Sequence, residues 1–552
     1  MRKRAICSVL LVLFLGTMLL YAGKQEWQKN VPGEKTLRHY TAFFNVEGQE
    51  LNENNEIKKV IAQLIGAECE EIWLTAQTQE EAVNLYIANG EYPDFISGTL
   101  ELYEAGALIP LDHYLKDYPN LQKYVETIGE ERLRLEDGHI YWLPQFGVVN
   151  GEDREVIHQG EAFWIQTRVL EWAGYPRVTT LDEYFDLLER YMAANPVMEN
   201  GTKNIPYTIL FDDWRYFCLE NVPQFLDGYP NDGCCMVDPD TLTVMDYNIT
   251  STAKRYFQKL NEEYKKGMID PESFTSTYDE YLEKLSTGAV LGMVDQWWQF
   301  AYDINKTIDR QEFEELGCNY VPLPITIDDG IKNQWHVRRS NELDVSTGVS
   351  VTVSCKDVEG ALQFMNDLLD PKIQRLRFWG IEGEDYKIDS EGILYRTQEQ
   401  RDRVYDPGIQ GSHFCIYSYF PRFEGMEQDG RNAFSPECQP GEFFDSLPSD
   451  VRECFEAYGC ADYVDMLGSN EQPGDWYPMY SYSTLLTYAT ESGRVWKEMG
   501  ETKHLWLPQV VMSEDFEKTW QDYMMAYEAC QPQIFFEDLQ KELERRMGGS
   551  EQ

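Results

Sequence analysis

Two adjacent tryptophans, Trp297 and Trp298, follow the apolar run Leu291–Val294. A strand sends neighbouring side chains to opposite faces, so two neighbours at its end cannot both enter one core. Either both rings border a cleft, or one is core and one is surface. An exposed indole offers a flat apolar face and one N–H donor to a ligand. Such rings are plentiful, with 14 Trp, 35 Tyr and 26 Phe, although most of them must fill cores. Other chemistry is harder to find. There is no GxSxG elbow, HExxH zinc helix, Walker loop or GxGxxG fingerprint. The seven His show no metal-ligand spacing and are read as surface or core residues. Glycoside hydrolysis needs only two carboxylates across a cleft, and no such pair can be singled out among 95 acids.

The elements that must position these residues alternate between strand-like and helix-like, which indicates an α/β architecture. Leu37–Phe44 reads as a first strand, 53–65 as a helix and Glu71–Leu74 as the next strand. Thr78-Gln-Glu-Glu81 is a capping box opening a helix that Gly90 closes, after which 92–96 re-enters the sheet. Thr180-Leu-Asp-Glu183 repeats the box, with Leu181, Tyr184, Leu188 and Tyr191 at helical spacing. Gly348–Ser354 alternates as a strand, and a helix from about Asp357 stops at Asp370-Pro371. The aromatic-rich stretch 405–482 reads as loops with short helices.

Arg2, Lys3 and Arg4 precede a nearly unbroken apolar run from Ala5 to Gly23. That run exceeds a usual signal core of roughly 7–15 residues and approaches the roughly 20 that span a bilayer. Segment 1–23 is therefore expected to be an export signal, either cleaved or kept as a signal-anchor. No later segment matches its length. The roughly 530 residues that follow suffice for two or more domains. Acids outnumber bases 95 to 48, and the net charge of −47 argues against nucleic acid and anionic lipid as partners. Twelve Cys include Cys7 in the signal; the rest are expected to be mostly buried free thiols, with Cys454 and Cys460 a conceivable pair.

Seven further segments, in order, resemble the family 1 extracellular solute-binding proteins of ABC importers, in their lipoprotein-like, carbohydrate-binding branch. They are Asn89–Gly98 (NGEYPDFISG), Gly106–Leu115 (GALIPLDHYL), Asp137–Pro144 (DGHIYWLP), Phe163–Tyr191, Tyr281–Trp298 (YLEKLSTGAVLGMVDQWW), Gly348–Tyr386 ending in GIEGEDY, and Trp506-Leu507-Pro508. The resemblance spans roughly residues 36–510. It implies an α/β, two-lobe periplasmic-binding-protein-like fold (type II) with a ligand cleft between the lobes. The expected lobes are 28–145 with about 345–400, and 146–344 with about 401–552. It also implies capture of an oligosaccharide and its delivery to ABC permease transmembrane subunits, by a monomer with neither catalysis nor cofactor. A secreted glycan-degrading enzyme, or a binder of peptides or another solute, is the alternative.

Two departures from the resemblance matter. Lys24 stands where the branch carries its lipidated Cys, so the protein is exported but is not an obvious lipoprotein. Relatives also carry a calcium loop, matched here by Asn195–Pro206. Val197, Met198 and Lys203 there cannot supply the six to eight oxygens calcium needs, so no metal is expected. For the site, relatives place cleft aromatics where Trp297 and Trp298 stand. Tyr141 and Trp142 sit on the crossing strand that the resemblance implies, and Asp94 at a strand end is either a turn-capping acid or a hydroxyl acceptor. Trp335 and Arg338 would border the second crossing.

Overall fold

The computed structural model describes residues 37–548 except 47, 49–50, 53, 76, 152–153, 231, 339–342 and 405. The signal segment 1–23 and Lys24 thus lie outside the described residues. Among the described residues, the two larger sheets are built from seven strands: β1 (Arg38–Phe44), β2 (Ala67–Trp73), β3 (Phe95–Gly98), β4 (Glu161–Gln166), β5 (Gly292–Gln296), β6 (Tyr320–Leu323) and β7 (Gly348–Val351). The chain divides into two compact units. Residues up to Arg154 join Val345–Glu442 in the first, and Glu155–Asp344 joins the segment from Phe443 onward in the second.

The first unit holds the sheet β2–β1–β3–β7. β1 runs parallel to β2 and β3, and β7 lies antiparallel on β3 with Phe95 opposite Val351. Central β1 buries Tyr40, Ala42, Phe43 and Phe44, whereas edge strand β2 (AECEEIW) keeps acids on its open face. The expected strand 71–74 is therefore the end of a longer one. The first helix runs Glu56–Ile65 because Asn55 caps it, accepting the Lys58 N–H, and Gly66 ends it in the left-handed region. The Thr78/Glu81 capping box forms as expected, with Gly90 as the stop. The supposed crossing strand at 137–144 is extended chain touching β7 through one bridge, Leu143 to Val349. A Cβ on Gly348 would lie 2.3 Å from the Leu143 carbonyl oxygen, so only glycine permits this approach.

The stretch 401–442, expected with the second lobe, belongs to the first unit. Buried Arg377 donates to the carbonyls of Ile416 (2.8 Å), Tyr417 (2.9 Å), Phe420 (3.3 Å) and Pro421 (2.9 Å). The Phe420 ring meets Phe44, Phe95 and Phe364 edge-on within the core. These contacts are made by irregular chain, which carries no periodicity that sequence reading could follow.

The second unit holds the antiparallel sheet β5–β4–β6. Central β4 (EAFWIQ) is buried at every position, so it shows no alternation. The Thr180/Glu183 box caps the helix Leu181–Ala194. Loop 195–206 closes on its own backbone, with Val197 bridging Lys203 and Met198 turned into the core. Trp506-Leu507-Pro508 lies inside the long helix Glu491–Met512, which tolerates Pro508, rather than in an extended element. No helix among the described residues is long and apolar enough to cross a membrane. The described cysteines are free thiols, Cys454 and Cys460 included, and all but Cys460 are buried.

Candidate functional site: an aromatic platform on the second unit

Trp297 and Trp298 open a helix, Trp297–Thr307, rather than ending a strand. β5 runs to Gln296 and the chain turns directly into the helix, where the Trp297 N–H donates to the Gly160 carbonyl at 3.2 Å. Successive helical residues point about 100° apart, so the two indoles diverge. Trp297 is half-buried and meets Tyr302 edge-on at 4.8 Å. Trp298 is 39% exposed and its Nε1 donates to the Gln296 side chain.

Trp298 has a partner that the sequence did not reveal. Trp214, 37% exposed, lies parallel to it with ring centroids 6.2 Å apart and planes 17° apart. Trp214 in turn stacks on Phe217 at 5.8 Å. The Arg215 guanidinium sits 4.8 Å over Trp214 and 3.9 Å over Tyr278, a cation–π arrangement that fixes both rings. Tyr302, also 39% exposed, accepts from the Gln159 side chain at 3.3 Å. The short helical turn Asp213–Tyr216 that presents Trp214 begins at Asp213 with φ 49°, a non-glycine residue in the left-handed region. The only sequence signal was local, two acids followed by Trp214-Arg215-Tyr216, and it matched no periodic element.

Two acids near the start of the helix Trp297–Thr307, Glu161 on β4 and Asp295 on β5, are 0% exposed. Asp295 accepts from Tyr281 Oη at 2.6 Å, Gln299 Nε2 at 2.6 Å and the Gln296 N–H at 2.8 Å. Gln299 belongs to the same helix as the tryptophans, so Asp295 ties that helix to the sheet. Burial pushes the Asp295 carboxyl up to about 7, against the pull of those hydrogen bonds. Burial also holds the neighbouring Glu161 carboxyl well above its ordinary value. His158, buried beside His336 at 3.1 Å, is driven down to about 3 by desolvation and by its imidazole neighbour. Glu161, Asp295 and His158 are all buried. A separate groove of about 420 Å³ in this unit, between Thr179, Pro324, Thr326, Tyr458 and Leu467, shares no residue with the platform.

The other expected site residues lie on other elements. Trp335 is a core residue, fully buried, stacked on Phe225 at 4.3 Å and donating to the Ile325 carbonyl at 2.7 Å. Arg338 is exposed on the segment that follows it. Asp94, Tyr141 and Trp142 belong to the first unit. The Asp94 carboxylate accepts from the Thr41 N–H at 2.9 Å and the Thr41 hydroxyl at 3.2 Å, which ties β1 to the turn before β3. Trp142 is 2% exposed, packs on Gly98 and donates to the Val345 carbonyl at 2.9 Å. Tyr141 is half-buried, bonded to Asp137 at 2.7 Å and set edge-on to Tyr103. Buried indoles with satisfied N–H groups have nothing left to offer a ligand, and that is the physical reason Trp335 and Trp142 drop out.

No family model matches the chain. In sequence it is 22% identical over 362 residues to lipoprotein LipO of Bacillus subtilis, covering 63% of this chain and 67% of that one. It is 21% identical over 354 residues to the polygalacturonan/rhamnogalacturonan-binding protein YtcQ of the same organism, covering 62% and 66%. The matches thus span about two thirds of each relative's length. Among solved structures, an S. pneumoniae ABC-transporter substrate-binding protein, the FusA EF-hand mutant in complex with fructo-nystose, aligns with a TM-score of 0.66. That alignment covers 93% of this chain and 100% of the other at 16% identity.

Proposed function

The chain has the two-lobe α/β fold of ABC-transporter substrate-binding proteins, and from that premise we propose that it captures an oligosaccharide outside the cytoplasm and delivers it to ABC permease subunits. The observation that carries this reading is the exposed, parallel Trp214–Trp298 pair, flanked by Tyr302 and Gln159. A pyranose has an apolar C–H face that stacks on such rings and a fringe of hydroxyls for the surrounding amides. The relative named as binding polygalacturonan and rhamnogalacturonan, and the FusA complex with fructo-nystose, support the same ligand class.

Binding without catalysis is supported by the relatives, which are named as binding or substrate-binding proteins. Glu161 and Asp295, two of the carboxyls that burial raises, are 0% exposed. The acidic surface disfavours nucleic acid, and the protein acts as a monomer beside its permease.

Thermal unfolding of the full chain with a panel of oligogalacturonides, fructo-oligosaccharides and peptides tests the proposal. A bound ligand stabilises by RT ln(1 + [L]/Kd), about 2.7 kcal/mol at one hundred times Kd. A shift with a saccharide and no release of reducing ends is the expected result. Release of reducing ends would make the protein a hydrolase, and a shift with peptides alone would move the ligand class.

A further inference from the structure

The first unit gathers two imidazoles and a carboxylate at one surface point. We propose that Asp112, His113 and His139 form a binding site for a divalent transition-metal ion, with Zn²⁺ the ion that fits the donor set. His139 Nδ1 lies 3.1 Å and 3.3 Å from the two Asp112 oxygens, and His113 Nδ1 lies 3.6 Å from Oδ2. The two imidazole centroids are 4.9 Å apart with planes 66° apart, and one donor atom from each residue falls within 4.8 Å of the others. Tetrahedral zinc holds its N and O ligands at about 2.0–2.2 Å, which places neighbouring donors roughly 3.3–3.5 Å apart. The spacings of both imidazoles to Asp112 lie near that value, and the two imidazole donors fall within 4.8 Å of each other, so a bound ion would draw the three side chains together.

The donor types select the ion. Two nitrogens and one carboxylate suit zinc and its neighbours, whereas calcium and magnesium demand oxygen shells. Three protein ligands leave a fourth position for water, and solvent reaches it because the His113 side chain is 61% exposed while Asp112 is 12% exposed.

The scaffold is already held in place. The Leu111 N–H donates to the Ile140 carbonyl at 2.7 Å, which stitches the loop bearing Asp112 and His113 to the segment bearing His139. Asp137 accepts the His139 N–H at 3.0 Å and fixes its backbone. Arg134 stands 3.9 Å from Asp112, but Glu130 and Glu131 pair with its guanidinium, so little unbalanced positive charge opposes a cation.

Isothermal titration of the tag-free, chelator-stripped full chain with ZnCl₂ tests the site. The expected result is one ion per chain in the micromolar range, with H113A, H139A and D112N each weakening it about 100-fold. H39A removes a histidine paired with Glu68 at 2.8 Å elsewhere in the unit and serves as control, leaving the affinity unchanged. Zn²⁺ should also raise the melting temperature of the natural protein and of H39A, and not that of the H113A/H139A double variant. Absence of a one-to-one event up to millimolar Zn²⁺, or its persistence in the double variant, overturns the proposal. Calcium competing equally with zinc would overturn it as well.

Discussion

Replacing Trp298 by alanine removes half of the parallel indole pair while leaving the fold almost untouched. The side chain is 39% exposed and lies on Trp214 at 6.2 Å, so its free face is what a sugar would cover. A pyranose face on that ring excludes about 50 Å² of apolar surface, worth about 1.3 kcal/mol at about 25 cal/mol per Å². Ring-face stacking adds about 0.5–1.5 kcal/mol beyond the area. The sum of about 2–3 kcal/mol corresponds to a rise in Kd of roughly 30- to 150-fold. The assay is titration calorimetry with whichever saccharide gives the largest thermal shift, run beside the variant's own melting curve. W298F keeps a smaller ring face and should lose less than about 10-fold. A W298A protein that melts normally and binds the saccharide within threefold of the natural chain would refute the platform as the sugar contact.

Three further outcomes are expected. W335A deletes a fully buried ring stacked on Phe225 and should cost about 3–5 kcal/mol of stability in urea unfolding, with glycan affinity kept where the variant is folded; a stable variant that fails to bind would restore Trp335 to the site. R377M leaves the carbonyls of Ile416, Tyr417, Phe420 and Pro421 without their donor, costing at least about 3 kcal/mol and opening 414–424 to limited proteolysis; an unchanged urea midpoint with protection of that segment would contradict it. Asp295 is held near 7 in the fold against 3.8 for a free carboxyl, so the folded chain keeps a proton that the unfolded chain releases. Its contribution is therefore full below about pH 4 and is lost as pH rises toward about 7, at up to about 1.4 kcal/mol per pH unit. D295N should flatten the fall of stability between pH 5 and 7, and parallel curves for the two proteins would refute this.

Local, periodic features were legible in the sequence. The capping boxes at Thr78/Glu81 and Thr180/Glu183 form because the polar pair satisfies backbone donors that nothing else reaches, and that logic needs no tertiary context. Strand β1 and the helix stop at Gly90 were readable for the same reason. Legibility failed wherever the deciding contact was distant. Trp297 and Trp298 look like a strand end in the sequence because β5 and the helix meet without a turn residue between them. Trp335 was read as lining because sequence cannot distinguish a satisfied buried indole from an exposed one. Trp214 is separated by 84 positions from the ring it stacks on, and His113 by 26 positions from His139. Spacing rules for ligands on one helix or hairpin do not see pairs brought together by neighbouring loops. The segment around Phe420 lies in the first unit through one arginine and three rings far upstream, contacts that no local pattern in the sequence marks.

The strand β7 has a consequence for how the protein is made. Its partner β3 leaves the ribosome about 250 residues earlier, and the antiparallel register from Phe95–Val351 to Gly98–Gly348 cannot form until β7 follows. Until then β3 presents an open row of backbone donors and acceptors beside buried-type side chains, the kind of edge that recruits other chains. The whole of the intervening second-unit segment must be synthesised while that edge waits. Nascent chains halted between residues 98 and 348 should therefore be the aggregation-prone and chaperone-dependent species, and those extended past Phe420 should not.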